Sequence, residues 1–207
     1  MIAYEQRLNA DRRWALSEGS RHFEDKSAVQ ETLRRIARRL DAIGVAYAIS
    51  GGMALFQHGY RRFTEGVDVL VTREGLAKAH ESLVGFGYLP AVAGGRNLRD
   101  TDSGVRIDFL VAGEFPGDGK PKPVAFPDPA AAAVEHDGIR YLGLATLIEM
   151  KLASGMTSAA RLRDLSDVLE LIKVLSLTEA FADRLCPYVR EKYLELCGAV
   201  RGEGFGE

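Results

Sequence analysis

The sequence is poor in the residues that mark several common classes of protein. It has only two cysteines, Cys186 and Cys197, eleven residues apart near the C-terminus. They form neither a disulfide framework nor a metal-ligand spacing, and the expectation is a reducing, cytoplasmic setting. Four histidines, His22, His58, His80 and His136, show no ligand spacing and read as surface or half-buried residues. No apolar run approaches the ~20 residues needed to span a bilayer, so no membrane partner is expected. The first residues carry Glu5, Arg7, Asp11, Arg12 and Arg13 and lack the apolar stretch of a signal peptide. Net charge is only −2, so no overall field draws in nucleic acid, and an RNA substrate would need a local patch. No internal repeat is visible, and no serine or cysteine sits in a nucleophile motif.

What is present is a globular composition. Apolar residues make up 46% and charged residues 27% of 207, enough for one generous domain or a domain with a helical extension. Residues 1–26 form a polar extension, helical or loosely attached. A helical period then runs through Leu33, Ile36, Ala37, Leu40 and Ile43 and ends at Gly44. Residues 45–50 read as a buried strand, Gly51-Gly52 as a turn, and 53–58 as a helix. Such a junction offers uncapped backbone N–H groups to an anion. Residues 67–71 form a second strand, and Thr72 caps the helix after it. Residues 105–111 alternate as a third strand. The stretch 113–129 is rich in glycine and proline and irregular, 139–142 is a short strand, and the chain from Leu144 is helical, broken near Pro187. The expected fold is α/β (α+β): a small mixed sheet with flanking helices over 27–143, a helical section over 144–197 and a glycine-rich, frayed tail over 198–207.

Two acids interrupt otherwise apolar strands. Asp68 lies between Val67 and Val69, and Asp108 between Ile107 and Phe109. A buried lone carboxylate is costly and needs a cation, a metal or several donors. Two carboxylates on neighbouring strands repel unless a cation lies between them; strand ends that simply meet water are the alternative, and spacing alone leaves both open. Lys151 falls on the apolar face of its helix, where it either snorkels to solvent, which pattern alone favours, or points into a site. Arg163, Asp164 and Asp167 read on pattern alone as a solvated face with local ion pairs.

Together these pieces resemble the nucleotidyltransferase superfamily of the DNA polymerase beta type. The matching run covers residues 49–71, and the wider resemblance about 27–175. Its pattern is a glycine turn, about a dozen residues, then Asp-x-Asp on a strand, with a third acid on a later strand. Arg62, Thr64 and Asp68 match the small-member string Arg-x-Thr-x-Asp-x-Asp, and Asp108 matches the third acid. Lys151 and the run 161–167 are similar to elements of abortive-infection (AbiEii-like) nucleotidyltransferase toxins. The chain departs from the pattern at Gly66, where the first acid should stand. Neighbouring Glu65 is expected, by strand alternation, on the opposite face.

The resemblance implies an activity: transfer of a nucleoside monophosphate from a nucleoside triphosphate to a hydroxyl acceptor, weakened at Gly66. It implies that Gly51 and Gly52, with Arg62 and Thr64, bind the nucleotide. Asp68 and Asp108 would hold Mg²⁺, Lys151 would neutralise phosphate charge, and Asp164 would orient Lys151 or the substrate. The implied partners are a tRNA acceptor and an antitoxin protein. Two other outcomes fit the same residues: a degenerate member that binds nucleotide or a partner without turnover, and a small-molecule, antibiotic-type transferase. On the sequence alone, Gly66→Asp is expected to raise the transfer rate.

Overall fold

The structure is a computed structural model that describes residues 2–203. Two helices open the chain, α1 (Tyr4–Ala10) and α2 (Arg12–Phe23), and α3 (Ala28–Ala42) follows. The opening segment is helical and firmly attached. Tyr4, Glu18 and His22 are buried; Glu18 accepts from Tyr4 Oη and from the Ala28 N–H. Ser27 and Gln30 form a capping box that starts α3, whose buried stripe includes Leu33, Ile36, Ala37 and Leu40. His22 is fully buried rather than half-exposed. Its ring lies edge-on to Phe56 and Phe63, and its two nitrogens meet Ser27 Oγ and the Arg62 carbonyl. Burial holds its pKa below the ordinary histidine value.

The remaining elements are β1 (Tyr47–Ile49), α4 (Gly51–Gln57), β2 (Gly66–Val71), α5 (Arg73–Leu83), β3 (Tyr88–Pro90), β4 (Leu98–Asp100) and β5 (Arg106–Val111). After the irregular stretch come α6 (Pro129–Ala132), β6 (Ala133–His136), β7 (Ile139–Leu142), α7 (Leu144–Gly155), α8 (Leu162–Leu175) and α9 (Pro187–Glu203). The strands form one seven-stranded mixed sheet in the order β3-β4-β5-β2-β1-β7-β6. The expected α/β sheet with a helical C-terminal section is therefore present. It is larger than the sequence suggests, because β3, β4 and β6 are added. At the C-terminal end α9 continues through Gly198 and Gly202 to Glu203, past the point where the sequence reading starts a frayed tail. Residues 204–207 of that tail lie outside the described residues.

The centre of the sheet positions the site. β2 and β5 are parallel neighbours over six paired positions, with Asp68 opposite Asp108 and Gly66 opposite Arg106. Val67, Val69, Ile107 and Phe109 point to the other face and are buried. Because side chains alternate along a strand, Gly66, Asp68, Arg106 and Asp108 share one face. The last helices pack on one another, α7 against α8 and both against α9, and bring Lys151 and Asp164 to the same side.

Candidate active site

The Asp68 carboxylate rests on the Gly51 turn. β1 pairs antiparallel with β2, and the Ser50 N–H donates to the Asp68 carbonyl, so the chain leaving β1 turns directly over Asp68. Gly51 has φ +56°, and a Cβ built on it would lie 1.8 Å from Asp68 Oδ2. A Cβ on Gly52 would meet the Thr64 side chain at 2.8 Å. Only glycines allow so close an approach. Ser50 makes no side-chain cap to α4, so the first-turn N–H groups are left without that partner.

The two acids are in different states. No hydrogen-bond donor or cation contacts the Asp68 carboxylate among the described residues. Burial raises its pKa and the Asp108 charge raises it further, while Lys151, Arg106 and Arg62 pull the other way; the outcome is about 6. Asp108 is engaged on both oxygens. Asn97 Nδ2 donates to Oδ1 at 2.6 Å, and Arg106 Nε donates to Oδ2 at 2.9 Å. Asn97 is itself held by the Phe109 N–H, which donates to its Oδ1.

Lys151 does not snorkel. Its Nζ is buried and donates to Asp167 Oδ2 at 2.6 Å and to Asp164 Oδ1 at 3.1 Å. Asp167 is only 2% exposed and also takes a two-point contact from Arg62, at 2.8 and 3.0 Å. Ser154 Oγ donates to the remaining oxygen of Asp164. The expected solvated face at Asp164 and Asp167 is thus a partly buried ion network of two cations and two carboxylates, with Lys151 and Asp167 at its buried centre. The bidentate Arg62–Asp167 pair supplies the geometry that a buried pair needs to offset its desolvation. Arg62 is thus held by Asp167 where it borders the site.

Two clefts meet at Asp68. One, of about 390 Å³, is lined by Gly66, Asp68, Asp108 and Arg106 together with Glu5 and Glu65. The other, of about 410 Å³, is lined by Gly51, Gly52, Lys151, Asp164, Phe115 and Phe126 among others. Arg62, Thr64, Asp68 and Arg163 border both. Arg163 is exposed there and has no hydrogen-bond or ion-pair partner among the described residues. Glu65 lines the first cleft rather than the opposite face, because it lies just before β2, where strand alternation does not yet apply.

These residues suit a protein-held Mg²⁺ poorly. A hard divalent ion takes oxygen ligands in near-octahedral array. Of the two strand carboxylates, one is open and the other is already engaged by an amide and a guanidinium, and position 66 supplies no oxygen from a side chain. Among the described residues no group of three or more His, Cys, Asp or Glu is placed to hold a metal. No helix among them is long and apolar enough to cross a membrane.

No protein-family model matches this chain, and neither does any curated protein. Among solved structures, the chain is similar to ANT(2″)-Ia in complex with adenylyl-2″-tobramycin, at 14% identity and a TM-score of 0.49, covering 84% of this chain and 98% of that one. It is also similar to an antigenic nucleotidyltransferase-like protein from Paracoccidioides brasiliensis, at 15% identity and a TM-score of 0.48, covering 83% of this chain and 91% of that one. Likeness at this level does not carry a function from one chain to another.

Proposed function

We propose that the protein binds a nucleoside triphosphate in the clefts that meet at Asp68 and transfers its nucleoside monophosphate slowly to a hydroxyl acceptor. The observation that carries this reading is the placement of Asp68 and Asp108 side by side, with Asp68 against the Gly51–Gly52 turn. The triphosphate lies along Gly51, Gly52 and Thr64, and Arg163 meets its charge. Lys151, held by Asp164 and Asp167, is a fixed N–H donor beneath it. The acceptor enters from the side of Gly66 and Glu65. Asp68 has an unpaired carboxylate and a pKa near 6, suited to taking a proton near neutral pH. In the step proposed, the acceptor oxygen bonds to the α-phosphorus as its proton passes to Asp68. The bond to the bridging oxygen breaks, and pyrophosphate leaves.

The Arg106–Asp108 contact supports a second reading, in which the protein binds nucleotide without turnover. One experiment separates the two. Purified protein is incubated with Mg²⁺ and each α-labelled nucleoside triphosphate, against tRNA, protein and aminoglycoside acceptors. Slow labelling that Asp68→Asn abolishes supports transfer. Binding of triphosphate without labelling of any acceptor supports the second reading. Absence of both would overturn the nucleotide reading altogether.

A further inference from the structure

Position 66 lacks a carboxylate, and the residue opposite it in the sheet is an arginine. Gly66 pairs with Arg106 across parallel strands. A Cβ on Gly66 would lie 3.1 Å from the Arg106 carbonyl oxygen, a tight contact, and 3.9 Å from Asp108 Oδ2, the same oxygen that Arg106 Nε holds. The guanidinium therefore stands beside Asp108 at the place an acid at 66 would share with it. An acid at 66 would bring a second carboxylate to the guanidinium that Asp108 now holds alone.

Stability does not account for the contact. The Arg106 side chain is 52% exposed, and pairs that open contribute at most about 1 kcal/mol. Only Nε is used. The two terminal nitrogens make no hydrogen bond or ion pair with another group among the described residues, and the side chain lines the cleft beside Asp68. A guanidinium anchored through Nε presents its remaining N–H groups as a fork, the geometry that matches two phosphate oxygens. Its positive charge, after that of Lys151, offsets part of the repulsion between Asp68 and Asp108.

Building on the nucleotide reading, we propose that Arg106 is a tethered cation that takes the place of a protein-held divalent ion, and that it offers its terminal nitrogens to the phosphate nearest Asp68. Gly66 and Arg106 then act as a matched pair. The free protein excludes a divalent cation from Asp68 and Asp108, and triphosphate binding persists without one.

The test has two arms. In the first, Mn²⁺ alone is titrated into nucleotide-free protein and followed by electron paramagnetic resonance. Wild type and Gly66→Asp are expected to bind little, because the new carboxylate pairs with Arg106. The Gly66→Asp/Arg106→Gln double variant is expected to bind on the order of tenfold more tightly than either. Tight Mn²⁺ binding by wild type, or full binding by Gly66→Asp alone, would overturn the proposal. In the second arm, ATP and GTP binding is measured by calorimetry in EDTA and in Mg²⁺. Wild type is expected to bind equally in both, and Arg106→Gln to lose on the order of tenfold in EDTA with its melting temperature unchanged. Binding by wild type only in Mg²⁺, or an Arg106→Gln variant indistinguishable in EDTA, would equally overturn it. If no triphosphate binds under either condition, the nucleotide reading fails and takes the phosphate role of Arg106 with it. The Mn²⁺ arm still decides whether the pair excludes a divalent ion.

Discussion

Arg106 Nε donates to Asp108 Oδ2 at 2.9 Å from the strand position opposite Gly66. That relationship changes what the glycine means. Read from the sequence, Gly66 is a lost ligand whose restoration should raise the rate. In the fold it lies opposite Arg106, and on the proposal above an aspartate at 66 would share that guanidinium with Asp108. Gly66→Asp alone is therefore expected to label acceptors no faster than wild type. Gly66→Asp with Arg106→Gln is expected to exceed either single variant on the order of tenfold. Single-turnover labelling of the four proteins checks this, and a full gain from Gly66→Asp alone would contradict it.

The ion network beneath the clefts makes a prediction about stability. Asp167 faces both Arg62 and Lys151, whereas Lys151 leaves Asp167 still paired to Arg62 when it is removed. Asp167→Ala is expected to cost about 3–5 kcal/mol, because it leaves Arg62 without its carboxylate and Lys151 with Asp164 alone. Lys151→Met is expected to cost less. Urea unfolding of the two variants gives the order directly, and a larger loss for Lys151→Met would contradict the assignment of Asp167 as the hub.

The Asp68 carboxyl sits near 6 in the folded protein, against an ordinary value of 3.8. Between those values the folded chain holds a proton that the unfolded chain has lost. Stability from this group is therefore present at low pH, falls as pH rises from about 4 to about 6, and is level above that. Asp68→Asn has no such proton to lose. It is expected to melt a few degrees above wild type at pH 7.5, with the gap closing toward pH 4.5, while labelling is lost. Parallel melting curves across this range would contradict the burial of an uncompensated charge at Asp68.

Gly51 carries a packing prediction. Alanine there must adopt φ +56° and displace the Asp68 carboxylate from 1.8 Å. Gly51→Ala is expected to lose at least about 1–2 kcal/mol from the backbone alone, and more from the clash. Removing the carboxylate in Gly51→Ala/Asp68→Ala is expected to restore part of that loss, giving a coupling of about 1 kcal/mol or more in a double-mutant cycle. Strict additivity would mean the two residues do not touch.

Much of this site is legible along the chain. The strand, the double glycine and the helix after it are consecutive, and the acids at Asp68 and Asp108 stand out against apolar neighbours. The unread parts depend on pairings that no local pattern contains. Asn97 reaches Asp108 only because β4 pairs with β5. Arg106 matters only because β2 and β5 are parallel and in that register. The helical wheel places Lys151 on an apolar face, but its partners come from a different helix, α8. β3 and β4 have three residues each, too few for a period to show. The β6–β7 hairpin is different, because its signal was present. Asp137-Gly138, at φ 50° and 74°, is the turn pair that favours a two-residue hairpin.

The central claim is that the clefts meeting at Asp68 hold a triphosphate. Arg163 borders both clefts and has no partner among the described residues, so changing it removes charge from the site without breaking a contact elsewhere. Calorimetric titration of nucleoside triphosphates into wild type and Arg163→Glu tests the claim most directly. Wild type is expected to bind at least one triphosphate, and Arg163→Glu to bind it on the order of tenfold more weakly at an unchanged melting temperature. Equal binding by the two proteins, or no binding by wild type, would contradict it.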